Sequence, residues 1–198
     1  MKDSEIRTLI KRQLSKRQAY ADELFVEEVA INKGLVRADV VYCGKKLECF
    51  EIKSKSDTLK RLVQQGWQYQ KSFERITLVC ASKHVIPAQE IVPDFWGLWE
   101  IDDHGKLRVL RQATVNPYLN IVGVVDLMEN DESRDFLRFI GHGIGVGKLC
   151  HEDMCSRIKE LCKIQDVVAW AKKTLPNRQR VKRSINSPVK QALGELRL

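Results

Sequence analysis

The first part of the chain alternates between helical spacing and short apolar runs. Apolar residues recur at helical spacing in "SEIRTLIKRQLSKRQ", which predicts an amphipathic helix with a basic outer face. Three strand-like runs follow, "LFVEEVAINKG", "RADVVYC" and "KLECFEIK", and a tight connection around Gly44 joins the last two. "SKSDTLKRLVQQGWQYQKSF" then predicts a second helix, with Ser56 and Asp57 as N-cap residues.

The next segments return to strands and then to helices. "RITLVCAS" is continuously apolar, which is typical of a strand buried on both faces. "IPAQEIVPDF" predicts a short helix or turn, and "WGLWEI" and "KLRVLRQA" predict a hairpin around "DDHG". From about residue 120 three stretches carry helical periodicity, and the glycine-rich "GHGIGVGK" separates the first two.

This order of elements predicts an α/β (α+β) fold. We expect a mixed-sheet core over residues 1–118 and a helical subdomain over residues 119–176. Residues 177–198 form a basic C-terminal tail, which we expect to be loosely ordered until its final few residues.

Composition narrows the class of partner. The chain has 198 residues, of which 43% are hydrophobic, which suffices for one domain with a real core. Its formal net charge of +8 favours a polyanionic partner, either nucleic acid or an acidic membrane surface. No segment approaches the ~18 consecutive apolar residues of a membrane span. The N-terminus lacks the apolar run of a secretory signal, so we expect a cytoplasmic protein.

The six cysteines are scattered and form no CxxC pair, which is typical of a reduced, cytosolic protein. Cys150, His151, Cys155 and Cys162 invite interpretation as a metal site. Their spacing fits helical core positions better than any zinc pattern, so we interpret them as structural.

Charged residues interrupt the strand "KLECFEIK". Side chains alternate along a strand, so Glu51 and Lys53 point to the same face. On a sheet with one wet face, this pattern describes a surface salt bridge with Phe50 and Ile52 inward. That interpretation stays open on spacing alone.

The register of the preceding hairpin decides whether a second carboxylate joins them. A three-residue loop pairs Cys43 with Leu47 and places Asp39 opposite Glu51. A two-residue loop places Asp39 opposite Phe50, on the other face. Counting alone leaves both registers open.

In the first register the residues have the composition of a phosphodiester hydrolysis site. A hard divalent ion prefers oxygen ligands, and Asp39, Glu51 and the carbonyl of Ile52 supply them. Lys53 is a point charge suited to holding a water molecule or stabilising charge on a phosphate.

Three further features favour this chemistry. Arg61, Gln65 and Tyr69 share one stripe of the second helix. Glu27 and Glu28 point to opposite faces of their strand, so one of them faces the site as a third carboxylate. Cations that suit a phosphate backbone lie nearby, at Arg37, Lys55, Lys60 and Arg61.

These residues resemble the PD-(D/E)XK phosphodiesterase superfamily, which has the restriction-endonuclease-like fold. Its hallmark is an Asp on one strand and Glu-x-Lys on the next, followed by a helix, and Asp39, Glu51 and Lys53 match it. Gln65 and Tyr69 resemble the Q-x-x-x-Y helix motif of its exonuclease-like branch.

The chain is similar more specifically to an uncharacterised bacterial and phage family within that superfamily. "RAD", "EIKS", "DTLKRL" and "VPDFWG" occur here in that family's order, and the likeness runs from roughly Glu27 to Pro117. Ala38 replaces the Pro before the Asp, a common departure that leaves the metal ligands in place.

The resemblance implies a mixed sheet flanked by helices and Mg²⁺- or Mn²⁺-dependent cleavage of nucleic acid, with DNA favoured over RNA. It implies metal ligands at Asp39, Glu51 and the carbonyl of Ile52, with Lys53 assisting the attacking water. It implies supporting roles for the upstream acid, where Glu28 matches better than Glu27, and for Gln65 and Tyr69.

Two other interpretations remain. One is a non-catalytic nucleic-acid-binding or accessory module on the same fold. The other is an adaptor that binds nucleic acid through the basic stretch Asn177 to Ser184. A homodimer and an accessory protein partner both stay open, and we expect no membrane association.

Overall fold

The structure is a computed structural model that describes residues 2–17 and 20–185. Its strands are β1 (Phe25–Ile31), β2 (Val36–Cys43), β3 (Leu47–Lys53), β4 (Arg75–Ala81), β5 (Gly97–Ile101) and β6 (Leu107–Arg111). Its helices are α1 (Asp3–Leu14), α2 (Leu62–Ser72), α3 (Val85–Ile91), α4 (Ile121–Val125), α5 (Asn130–Phe139), α6 (His151–Leu161) and α7 (Ile164–Ile185). This is the mixed α/β architecture that the sequence pattern predicts.

The six strands form one mixed sheet in the order in which they occur along the chain. Strands β1, β2 and β3 are an antiparallel meander, because two short turns connect them. Strand β4 lies parallel to β3, since α2 carries the chain back across one face of the sheet, and β5 lies parallel to β4. Strand β6 closes the sheet as an antiparallel hairpin with β5.

Helix α1 covers one face of the sheet. Its apolar stripe of Ile6, Ile10 and Leu14 is buried against Phe50 and Trp99 in one hydrophobic cluster. The helical spacing of "SEIRTLIKRQL" produces that stripe, so this element is confirmed as predicted.

The opposite face carries α2 and the C-terminal helices in one continuous core that extends from Val26 to Leu175. Helix α4 lies close against α2 at Gly123, where a Cβ atom would sit 2.3 Å from the backbone oxygen of Lys71. Only glycine permits this approach of two backbones.

Three buried cysteines, Cys43, Cys49 and Cys80, lie on β2, β3 and β4 and fill the core as small hydrophobes. Burial raises the pKa of Cys43 and of Cys80 to about 12, which keeps their thiols protonated. Each of the six cysteines lies within the described ranges and is a free thiol.

Helix α2 starts later than predicted. Its N-cap is Arg61, and neither Ser56 nor Asp57 caps it. Asp57 instead accepts hydrogen bonds from the amide and the hydroxyl of Ser54, at 2.7 and 2.6 Å. The N-cap prediction was wrong because the same residue types also stabilise turns.

Helix α7 continues to Ile185, so residues 177–185 are helical and are not loosely ordered as predicted. The guanidinium of Arg178 donates hydrogen bonds to the carboxylate of Glu132 and, at 2.7 Å, to the carbonyl of Leu127. The rest of the predicted basic tail, residues 186–198, lies outside the described residues. Within the part of the chain that the structure describes, no helix is long and apolar enough to cross a membrane.

Candidate functional site

The β2–β3 hairpin adopts the three-residue connection. Cys43 pairs with Leu47 and Val40 with Phe50, and Asp39 and Glu51 are the residues that directly follow this last pair on the two strands. The register that brings the two carboxylates together is therefore confirmed. The other register, with Asp39 opposite Phe50, does not occur.

The strands around Asp39 are locally irregular. Ala38 and Val41 are three residues apart on β2, yet both lie in the core beneath α2. Across the ladder, Glu28 has a φ of 56°, in the left-handed region. This break in alternation frees the Asp39 carboxylate to accept a hydrogen bond from the amide of Ile52 at 2.7 Å. Ile52 thus contacts Asp39 through its N–H group, whereas its predicted metal contact is through its carbonyl.

Glu51 lies at the centre of a buried hydrogen-bond network. Its side chain is 1% exposed, and the Lys53 ammonium donates to its Oε1 at 2.5 Å. The Tyr69 hydroxyl lies 2.6 Å from its Oε2. Burial and the charge of Glu51 raise the pKa of Tyr69, so the phenol keeps its proton and donates it.

Gln65 links the lysine to the tyrosine. Its Oε1 accepts from Lys53 Nζ at 3.2 Å, and its Nε2 donates to the Tyr69 hydroxyl at 3.4 Å. Because Gln65 and Tyr69 are four residues apart on α2, one turn of helix places both over the β3 strand. The structure thus brings together five residues that the sequence predicts for the site, namely Asp39, Glu51, Lys53, Gln65 and Tyr69.

Burial and, next, the charge of Glu51 raise the pKa of Asp39 to about 7. The Ile52 amide and the Lys53 ammonium oppose this rise. Two carboxylates therefore share one buried ammonium. Such a site is short of positive charge, and its oxygen donors fit a hard divalent cation.

The upstream glutamates behave differently from the prediction. Arg7 of α1 forms ion pairs with both Glu27 and Glu28, so the expectation that they point to opposite faces was wrong. The left-handed backbone at Glu28 breaks the alternation on which that expectation depended. Glu28 is exposed, lies 3.9 Å from the Arg37 guanidinium, and contributes a small rise to the pKa of Asp39.

The four cations predicted to contact nucleic acid are all exposed. Arg37 lies beside the site, since its carbonyl oxygen is 3.0 Å from the Tyr69 hydroxyl. Lys55 forms an ion pair of 2.8 Å with Asp103. Lys60 and Arg61 lie directly before α2. Arg61 is its N-cap residue with helical backbone angles, and its carbonyl accepts a hydrogen bond from the Gln65 amide at 2.9 Å.

The sequence did not identify the residues that hold the backbone directly after Lys53. His84, from the short turn after β4, places its Nε2 3.1 Å from the carbonyl of Ser54. The hydrogen bonds that the Ser54 amide and hydroxyl donate to Asp57 were foreseeable from the Ser-x-x-Asp spacing, but no local pattern identifies His84. Together these contacts fix the backbone that follows the lysine.

A second polar cluster brings together residues that lie in different segments of the sequence. Asp126 Oδ1 lies 2.8 Å from His151 Nε2, and the Cys155 thiol lies 3.5 Å from the same nitrogen. Cys150 instead hydrogen-bonds Asp153 at the start of α6, and Cys162 follows the end of that helix. The four-residue group Cys150, His151, Cys155 and Cys162 is therefore not assembled.

Comparison with known proteins identifies relatives. The sequence model of the family "Bacteriophage P4 protein cII" matches residues 2–190. Protein cII of Enterobacteria phage P4 is 26% identical over 156 residues, which cover 77% of this chain and 58% of that protein, so the chain spans less than two thirds of its relative.

A solved structure, the SPO1766 protein of unknown function from Silicibacter pomeroyi, is 22% identical and covers 63% of this chain and 87% of its own, with a TM-score of 0.38. That likeness is too distant to support an argument. The family match extends over nearly the whole sequence, and the chain belongs to the bacteriophage P4 protein cII family.

Proposed function

We propose that this protein is a divalent-metal-dependent nuclease with a restriction-endonuclease-like fold, acting on DNA in preference to RNA. One observation carries the proposal. Asp39, Glu51 and Lys53 meet at the end of the β2–β3 hairpin, beneath Gln65 and Tyr69 of α2. A salt bridge on a wet face requires neither the second carboxylate nor burial, and here Glu51 and Lys53 are both buried.

Mg²⁺ or Mn²⁺ fits the donor set of this site. Asp39 and Glu51 would hold the ion, because hard cations prefer carboxylate oxygens. Burial and the charge of Glu51 raise the pKa of Asp39, and a bound cation would offset both effects. The Ile52 carbonyl remains a proposed third donor. When bound, the ion would supply Lewis-acid stabilisation of phosphate charge and a more acidic water.

Residues of the chain would perform the remaining tasks. Lys53 carries the ammonium that holds the attacking water or the scissile phosphate, and Gln65 orients it through the 3.2 Å contact. Tyr69 holds Glu51 in place as a neutral donor. Glu28 is exposed and would contact the metal ion through a water molecule. The nucleic-acid backbone would be contacted by four exposed cations, Arg37, Lys55, Lys60 and Arg61.

A second candidate is a non-catalytic binding module on the same fold. Both carboxylate oxygens of Glu51 already accept hydrogen bonds, from Lys53 and from Tyr69. A buried network in which both carboxylate oxygens have hydrogen-bond donors is also typical of a structural ion pair. The two candidates agree on nucleic acid as partner and differ on whether phosphodiester bonds are cut.

The deciding experiment incubates the full chain with supercoiled plasmid, single-stranded DNA and RNA in Mg²⁺ or Mn²⁺, with and without EDTA. We expect metal-dependent cleavage that falls by at least about 10³-fold in Asp39→Asn and Glu51→Gln. Asp39→Asn keeps an oxygen acceptor for the Ile52 amide and removes only the charge.

The matched control is Glu48→Gln. Glu48 is a buried carboxylate of the same strand that pairs with Arg17 at 2.6 Å, on the other face and at the other end. Its variant should cleave like the wild type. If no substrate is cut with either metal while DNA binding is retained, the protein is a binding module and the nuclease proposal fails.

A further inference from the structure

The end of α4 and the first turn of α6 bring together three different ligand types. Asp126 directly follows α4, His151 is the first residue of α6, and Cys155 lies one turn further along that helix. Their ligand atoms all lie within 4.8 Å of one another. No part of the Asp39–Glu51 site contributes to this cluster.

We propose that Asp126, His151 and Cys155 bind a transition-metal ion of the zinc class. The imidazole Nε2 faces both the Asp126 carboxylate, at 2.8 Å, and the Cys155 sulfur, at 3.5 Å. One N–H proton cannot point at two acceptors equally well, whereas a metal ion between the three atoms is bound by all of them. Helical i, i+4 spacing delivers the imidazole and the thiol to the same side.

The donor types select the metal. A nitrogen, a sulfur and one carboxylate oxygen suit Zn²⁺ and related ions, whereas Mg²⁺ prefers oxygen alone. Three protein ligands leave a fourth position of a tetrahedral site for water or another group.

The surroundings suit a bound ion. Cys155 is buried, and the side chains of Asp126 and His151 are 13% and 11% exposed, so bulk water competes little for these ligands. The backbone oxygen of Asp126 accepts from the amide of Asn32 at 3.2 Å. An ion here would therefore tie α4 and α6 to the turn between β1 and β2.

The first test loads chelator-treated full-length protein with one equivalent of Co²⁺ as a spectroscopic substitute for Zn²⁺. We expect a thiolate-to-metal absorption band and tetrahedral ligand-field bands that Zn²⁺ displaces. A spectrum without the thiolate band, or retention of less than half an equivalent of Zn²⁺ after gel filtration, would overturn the proposal without any variant.

Variants assign the ligands. Cys155→Ser and His151→Ala should weaken Zn²⁺ binding by at least about 100-fold, since loss of an outer-shell partner alone costs 10–100-fold. Cys162→Ser is the matched control, because that thiol lies outside the cluster, and it should bind Zn²⁺ like the wild type. Asp39→Asn should also retain Zn²⁺, which separates this site from the proposed nuclease centre. Undiminished binding in folded Cys155→Ser would contradict the assignment.

Discussion

The two polar clusters of this protein differ in how they are built and in which ion they suit. The hairpin cluster contains two carboxylates, an ammonium, an amide and a phenol, and the register of neighbouring strands assembles it. The helical cluster contains a carboxylate, an imidazole and a thiol, and the meeting of α4 with α6 assembles it. Oxygen donors beside a fixed cation suit phosphate chemistry with Mg²⁺, whereas mixed donors suit Zn²⁺.

The two clusters also differ in the partners of their carboxylates. In the hairpin cluster the Lys53 ammonium lies 2.5 Å from Glu51, whereas Asp39 accepts a hydrogen bond from the neutral Ile52 amide. In the helical cluster Asp126 has a histidine partner. We therefore expect charge removal to have opposite consequences at Asp39 and at Asp126.

The largest effect on stability should follow removal of the buried ammonium. Lys53→Met leaves the Glu51 carboxylate, which is 1% exposed, without its cation, and we expect unfolding free energy to fall by about 3–5 kcal/mol. The double variant Glu51→Gln/Lys53→Met should recover most of this loss. Urea unfolding of the four proteins in a double-mutant cycle measures the coupling.

Arg17→Met provides the comparison for that experiment. It removes the cation from Glu48, but the Arg17 side chain is 36% exposed, so water replaces part of the interaction and the loss should be smaller. An equal or larger loss in Arg17→Met would show that burial does not set the cost of breaking the Lys53–Glu51 pair.

Removal of the Asp39 charge should stabilise the metal-free protein. The folded-state pKa is raised to about 7 from 3.8, so between these values the unfolded chain ionises while the folded chain stays protonated. The stability of the wild type therefore falls as pH rises through this window and is level above it. Asp39→Asn lacks this loss and should be more stable by on the order of 2 kcal/mol at pH 8.

Thermal melting at pH 4, 6 and 8 measures this difference. The advantage of Asp39→Asn should grow from pH 4 to pH 7 and then remain constant. Mg²⁺ should reduce the stability advantage of Asp39→Asn, because the ion should stabilise only the wild type. An advantage that shrinks as pH rises would mean that the pKa of Asp39 is not raised in the folded protein.

The smallest effect should occur at Asp126. In metal-free protein Asp126→Asn retains an oxygen acceptor for His151 Nε2, so we expect a loss of about 1 kcal/mol or less. With Zn²⁺ present the same change should remove the stabilisation that the ion provides. Melting curves with and without Zn²⁺ test both statements, and a large loss in the metal-free protein would indicate a structural ion pair instead.

The sequence was most informative within single elements. Alternation along β3 placed Glu51 and Lys53 on one face, and helical spacing placed Gln65 and Tyr69 on one side of α2. The order of strands and helices was also correct. These features depend on the period of one element, which neighbouring residues specify.

Predictions that needed an irregular backbone were less successful. The left-handed φ of Glu28 directs its side chain to Arg7, although regular alternation predicts separate faces for Glu27 and Glu28. Asp57 stabilises a turn and does not cap α2, because an Asp side chain serves either purpose. Such choices depend on contacts with α1 and with Ser54 that no periodic pattern records.

By itself, the sequence determined which residues could contribute to a site and reduced the β2–β3 register to two alternatives. The tertiary structure decided between them, and it joined Asp126 to His151, which is 25 residues away. The physical reason is that periodicity describes the face of one element, whereas a site requires faces of different elements to meet. The first site depends on how β2, β3 and α2 pack together, and the second depends on how α4 packs against α6. In both sites the contacting residues are far apart along the chain.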